Sequence, residues 1–402
     1  MTSLPLQHHG SAYGSVECFT RKLMIAFTAS ALITPRERIE QPLMLVEDGL
    51  IVEISSRAQS ETPADVIDLG DGIIAPGFID LHVHGGGGSD VMGQDGLLVV
   101  SKFLSRYGVT SYLPTTVTAP LDKTLSALDR IAAGIEQRDG QGARPLGIHL
   151  EGPFLSHLRR GVHPEIDLLK PSVQMFDRFW QAARGHVRMI TIAPELEGAM
   201  EVIAAAASRG VLVSLGHSDA TMDSARAAID AGARHVTHTF NAMRPLDHRS
   251  PGILGVALTD ARLSADIIAD GAHTDPSIVR LFLRAKGPDA AVLITDGLSP
   301  TGMPEGHYHL GSLEVEVKGG LCVSNGTIAG SVLTLDRAVR NAMKFAQWNL
   351  QQSVALASLN PARAAGFAEM GVLKAGSRAD FTVLSPQGEV KKTFIGGKLF
   401  EP

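Results

Sequence analysis

Residues 210–240 read GVLVSLGHSDATMDSARAAIDAGARHVTHTF, and the reading of this stretch decides the fold. After Gly210 comes a short run of Val and Leu, which predicts a strand over 211–216. An alanine-rich segment of helical period follows over 218–231, with Gly232 placed to stop it. A second apolar run then predicts a strand over 235–240. Strand, helix and strand in about thirty residues is a crossover unit, which joins parallel neighbours in one sheet.

Working outward, the same alternation runs from Ile73 to the late part of the chain. Strands are predicted at 77–84, 110–116, 145–150, 187–193, 211–216, 235–240, 263–268 and 291–295. The helices between them include 121–138, 200–209, 218–231 and 276–286, the last ended by Gly287. Eight parallel strands with crossover helices close into a TIM-like (β/α)8 barrel, here expected over 77–371. Both chain ends are instead strand-like: 24–76 contains a hairpin around Asp48 and Gly49, and 372–402 alternates like a sheet. Neither end has enough strands to stand alone, so the two are expected to join in one small β-sandwich domain of an α/β protein. Residues 1–23 are polar and patternless, a loose N-terminal extension.

Composition narrows the function. The 402 residues are 44% hydrophobic and 19% charged, a globular balance. Lys and Arg number 36 against 42 Asp and Glu, and there is no dense basic block, which argues against nucleic acid and against an anionic membrane surface. Cys18 and Cys322 stand far apart, outside any disulfide or thiolate-metal spacing, as suits a reducing compartment. Arg21 and Lys22 before an apolar stretch imitate a signal peptide, but that stretch leads directly into the hairpin, which cleavage would destroy. No run approaches the roughly 18 apolar residues that span a bilayer, and a soluble cytoplasmic protein is expected. The 15 histidines are left without a compositional explanation.

Barrel enzymes carry their reactive groups at the C-terminal ends of the strands. Strand one ends in His82-Val83-His84, whose imidazoles share a face; alone, this motif fits a buried histidine pair equally well. Strand three ends in His149-Leu150-Glu151, strand five reaches His217, strand six carries His238, strand seven leads to Asp270 and His273, and strand eight to Asp296. Six strands deliver a histidine or a carboxylate to one rim. Nitrogen and oxygen donors without thiolate suit one or two divalent ions, zinc first, with iron or manganese as alternatives. An ion there prepares water for attack and polarises a carbonyl. Asp296 is the candidate proton carrier, and His273 the candidate to polarise the carbonyl or stabilise an oxyanion. His149 reads as a ligand, as support for one or as core packing, while the run Gly85 to Gly88 reads as close packing over the site because it lacks a P-loop context.

The motifs His82-Val83-His84-Gly85, Leu150-Glu151-Gly152-Pro153, Gly216-His217-Ser218, His238-Thr239-Phe240-Asn241-Ala242-Met243, Asp270-Gly271-Ala272-His273 and Thr295-Asp296 together resemble the N-acetylglucosamine-6-phosphate deacetylase family of the amidohydrolase superfamily, from about residue 24 onward. The resemblance implies metal-dependent hydrolysis of the N-acetyl group of N-acetyl-D-glucosamine 6-phosphate in amino-sugar catabolism. It implies a principal metal on Glu151, His217 and His238, and a second ion on His82, His84 and Asp296 with Glu151 bridging. Asp296 would be the catalytic acid/base. Substrate contacts would come from Val162, His163, Asn241, Ala242, Arg249, His273, Ile328, Ala329 and Gly330, with Arg249 and loop amides on the phosphate. A homodimer is implied, its neighbouring subunit completing the phosphate site. Gly297 departs from the family pattern, where alanine is more usual, and bears on the shape of the sugar pocket. Two alternatives are a deacetylase of a related substrate such as N-acetylgalactosamine 6-phosphate, and a non-catalytic structural paralogue, which would have decayed ligand positions. A cyclic amidase is disfavoured because strand four, Met189 to Pro194, has no lysine to bridge two metals.

Overall fold

The computed structural model describes residues 1, 24–35, 37–57, 65–137, 141–310, 313–324 and 326–401. The extension expected over 1–23 lies outside the described residues except for Met1, and so does Cys18. Eight parallel strands form the barrel: Phe78–Val83, Val109–Thr116, Ile148–Glu151, Val187–Ile192, Leu212–Leu215, His235–Val236, Ala265–Ile268 and Ala291–Ile294. The first six pair in sequence order, as do the last two. Main-chain bonds from Val236 N to Ser264 O (3.1 Å) and from Asp296 N to His82 O (2.9 Å) join the two pieces and close the barrel.

The crossover helices follow from local sequence. Met222–Ala231 starts where the Thr221 side chain accepts from Ser224 N and stops at Gly232, which has a φ of 127°. Ser218 to Thr221, expected in this helix, stay outside it, because Ser218 Oγ donates to Glu195 at 2.7 Å and fixes the loop instead. Pro276–Ala290 opens on an Asp275 cap with Pro at its first turn, and its backbone breaks at Gly287, the expected stop. The strands are apolar on both faces, Val187–Ile192 and Ala291–Ile294 being buried almost throughout, as a sheet covered by helices requires.

Two strands depart from expectation. The sixth pairs only over His235–Val236 rather than to Phe240, because His238 (φ 30°) and Phe240 (φ 82°) turn the chain out of extended geometry. The third begins as a separate piece, Arg144–Pro145, interrupted before Ile148 at Gly147 (φ 154°).

The chain ends form two sheets. A four-stranded sheet holds Leu50–Ser56, Pro42–Glu47, Met24–Thr28 and Val66–Asp68 in that order, and a six-stranded sheet places Ile73–Pro76 between Ala31–Ile33 and Phe381–Leu384. Between them lies a core of Phe27, Met44, Ile74, Phe381 and Phe394; the last two rings stack at 4.5 Å and Phe27 meets both edge-on. The hairpin turns on Asp48 (φ 51°) and Gly49 (φ 78°), two left-handed residues that suit its twist.

One element was not foreseen. Gly306–Leu310, Leu313–Lys318, Leu321–Ser324 and Thr327–Ile328 form an antiparallel sheet over the barrel mouth, whose buried Val315, Val317 and Cys322 pack on Val117 and Leu298. Its signal was the alternation of Leu313–Lys318 before the glycine pair Gly319-Gly320.

Candidate metal centre and active site

The ends of five barrel strands converge around Glu151. This carboxylate, 3% exposed, lies 3.1 Å from His238 Nε2, 3.3 Å from His217 Nε2, 3.2 Å from His84 Nε2 and 3.4 Å from His82 Nε2. His163 Nε2 stands 3.6 Å away. Asp296 Oδ1 lies 3.3 Å from His84 Nε2 and 3.5 Å from His82 Nε2. Two sets of donor atoms each gather within 4.8 Å: Glu151, His217 and His238 in one, His82, His84 and Asp296 in the other.

Local backbone aims these groups. His217 (φ 46°), His238 (φ 30°) and Asp296 (φ 50°) all hold left-handed conformations, each costing on the order of 1–3 kcal/mol, and such strain collects where side-chain direction matters more than backbone ease. His217 Nδ1 donates to the Arg159 carbonyl at 2.9 Å and His84 Nδ1 to the Thr115 carbonyl at 3.1 Å. A carbonyl cannot donate, so both rings carry hydrogen on Nδ1 and direct Nε2 inward, the nitrogen left to bind a metal. The Asp266 carboxylate, fully buried, accepts from the main-chain N–H of His238 and stands 2.8 Å from His235 Nε2, while His235 Nδ1 meets Ser264 Oγ at 2.6 Å. His149 is not in either donor set. Its Nε2 meets Thr191 Oγ1 at 2.8 Å, beginning a buried chain through Thr237 to Ser214, and its ring packs edge-on to His82 at 4.6 Å.

The charges agree with a site for a cation. Burial opposes the ionised form of Glu151, yet His82 and hydrogen bonds from His163, His217 and His238 hold its pKa well below the usual range. Asp296 is likewise pulled to about 2 against burial, by His82 and His84. Burial also opposes charge on His84, but Asp296 and Glu151 raise it to about 10; for His238 the same contest, led by Glu151, ends at about 9. His217 goes the other way, to about 4, because burial dominates there. Two buried carboxylates thus draw protons onto neighbouring imidazoles, and a divalent ion at the same point answers that demand with oxygen and nitrogen donors in place.

Above the donor sets opens a cavity of about 350 Å³ lined by His84, Glu151, His163, His217, His238 and Asp296, together with Val162, Asn241, Ala242, His273, Ile328 and Gly330. His82 lies beneath this lining, fully buried. Ala329 is also buried, facing the core of the covering sheet. Arg249 is not brought to the cavity of this chain. It sits exposed on the loop after the sixth strand, its Nε donating to His248 Nε2 at 3.1 Å. Arg159 does line the cavity, held by Asp219 at 2.8 Å, and sequence reasoning missed it because no motif spacing marks a lone loop cation. Gly85 and Gly86 do pack closely. A Cβ on Gly85 would stand 2.4 Å from Ser89 O, and one on Gly86 2.4 Å from the Phe103 ring.

Comparison with known proteins agrees with this geometry. Residues 73–400 match the model of the amidohydrolase family. The chain is 38% identical over 375 residues to N-acetylgalactosamine-6-phosphate deacetylase of Escherichia coli O157:H7, covering 92% of this chain and 98% of that protein. It is 40% identical over 348 residues to N-acetylglucosamine-6-phosphate deacetylase of Bos taurus, covering 83% and 84%. Among solved structures it resembles a variant of the Mycobacterium smegmatis N-acetyl-D-glucosamine-6-phosphate deacetylase in complex with N-acetyl-D-glucosamine 6-phosphate. The TM-score is 0.89 at 36% identity, over 94% of this chain and all of that one.

Proposed function

The chain belongs to the amidohydrolase family, and on that premise we propose that it hydrolyses N-acetyl-D-glucosamine 6-phosphate to D-glucosamine 6-phosphate and acetate. The observation that carries the reading is the meeting of Asp296 with the Glu151, His217 and His238 set at one cavity, in a chain this similar to deacetylases of that substrate.

Glu151, His217 and His238 would hold the principal divalent ion, and His82, His84 and Asp296 a second, with Glu151 between them; zinc fits these donors first, iron or manganese next. Bound there, the ion supplies Lewis acidity toward water and the amide carbonyl. Asp296 takes a proton from the attacking water and delivers it to the amide nitrogen as the C–N bond breaks. His273 offers Nε2 to a substrate oxygen. Val162, His163, Asn241, Ala242, Ile328 and Gly330 shape the sugar pocket, with Ala329 supporting that wall from beneath.

The phosphate carries nearly two charges. Among the described lining residues Arg159 is the one guanidinium or ammonium, and Asp219 already pairs it. Arg249, exposed on the loop after the sixth strand, and a second copy of the chain in a homodimer complete the phosphate site in this proposal. A cytoplasmic location belongs to the same proposal, supported by the scarcity of cysteine; among the described residues no helix is long and apolar enough to cross a membrane.

The Escherichia coli relative supports a second reading, the galacto epimer as substrate. Acetate release is to be assayed on both epimeric 6-phosphates and on the unphosphorylated sugars, with metal content measured on the same sample. Turnover of the gluco phosphate well above the galacto phosphate upholds the proposal, and the reverse order replaces it with the second reading. No release from either overturns both.

A further inference from the structure

His273 meets the cavity in an orientation that Asp270 imposes. Asp270 Oδ2 accepts from His273 Nδ1 at 2.7 Å, and Oδ1 accepts from the main-chain N–H groups of Ala272 and His273 at 2.8 Å each. The two side chains are 6% and 7% exposed. Gly271, with a φ of 82°, lets the chain double back between them, and Asn341 Nδ2 ties the adjoining Ala269 carbonyl to helix Leu335–Ala346 at 2.8 Å. His273 Nε2 is buried among the cavity-lining residues with no hydrogen-bond partner among the described residues.

We propose that Asp270 is a positioning residue for deacetylation, holding the Nδ1 proton of His273 so that Nε2, left without hydrogen, is presented as an acceptor to a hydroxyl of the bound substrate. The inference rests on the deacetylase reading and deepens it. An imidazole left alone exchanges between two tautomers, and what binds one nitrogen settles what the other offers. A buried, unpartnered Nε2 is the atom left for a ligand to satisfy. The turn itself needs only Oδ1; the bond from the ring to Oδ2 adds nothing to it.

The test is a double-mutant cycle with Asp270→Asn and His273→Asn, assayed for acetate release from N-acetyl-D-glucosamine 6-phosphate. Asp270→Asn keeps an oxygen for the turn but offers an N–H toward Nδ1. A fall in kcat/KM on the order of 100-fold is expected. In the His273→Asn background the same change should cost less than about threefold. Losses that multiply, or Asp270→Asn within about threefold of wild type, overturn the inference. Should Asp270→Asn not fold, Asp270→Ser takes its place in the cycle: its hydroxyl still accepts from the turn but does not reach the ring. Nitrogen NMR on histidine-labelled holoprotein, with the His273 signal assigned by its loss in His273→Asn, should find hydrogen on Nδ1 in wild type and on Nε2 alone in Asp270→Asn. An unchanged pattern also overturns it. This readout needs no turnover, so a failure of positioning stands apart from a failure of the deacetylase reading, which the wild-type assay reports.

Discussion

In the proposed reaction Asp296 is the residue on which the chemistry turns. It lies beside His84 and His82 at the cavity, and its carboxylate stays ionised against burial because imidazoles surround it. Asp296→Asn keeps the shape and removes the proton carrier, so turnover should fall by at least about 100-fold. The Glu151, His217 and His238 set should retain its ion, which elemental analysis checks; wild-type-like acetate release from that variant would refute the assignment. Residue types at this rim were legible because a barrel brings strand ends together, so a histidine or acid at each end carries positional meaning even far apart in sequence. Arg159 was not legible. It owes its place to a short turn of helix, His157–Arg159, and to Asp219, and neither leaves a trace in motif spacing.

At the scale of elements, the sixth strand leans on the seventh. Asp266 on Ala265–Ile268 takes the main-chain N–H of His238 and faces His235, so a buried carboxylate fixes the turn that aims one donor of the principal set. Asp266→Asn should weaken divalent-ion affinity about 10- to 100-fold, measured by titrating stripped protein with zinc while far-ultraviolet circular dichroism stays unchanged. Affinity equal to wild type would show that His238 needs no such support. The alternation that marked this strand could not reveal where it ends, since a left-handed His238 looks like any other residue in the sequence. The covering sheet over 306–328 escaped for a different reason. Its strands are short and separated by glycines, and they follow the eighth barrel strand where a crossover helix is the usual successor.

On the scale of the whole molecule, an ion held as proposed would be part of the fold as well as of the reaction. The cluster around Glu151 joins the ends of strands one, three, five, six and eight, and binding to it favours the folded state alone. Stripping the protein with a chelator should lower its thermal midpoint by several degrees, and zinc should restore it. An unchanged midpoint would mean that the donor sets hold no ion in solution. Quaternary structure bears on Arg249, which faces solvent in one chain. Sedimentation should give twice 42.5 kDa, and Arg249→Ala should raise KM for the phosphorylated sugar at least about tenfold while leaving the unphosphorylated sugar unaffected. Equal losses on both substrates would argue against a phosphate contact. The barrel was legible from the crossover alternation, and the joining of the chain ends from their shortage of strands.

That joining sets the order in which the molecule can be made. Ile74 pairs with Val383, about 300 residues later, and Phe27 lies against Phe381 and Phe394. As the chain leaves the ribosome, the first strands wait with one apolar face bare until nearly everything else has been synthesised, and the barrel strand at Phe78–Val83, which carries His82 and His84, emerges directly from that unfinished sheet. A truncated product would therefore be a chaperone client rather than a smaller enzyme.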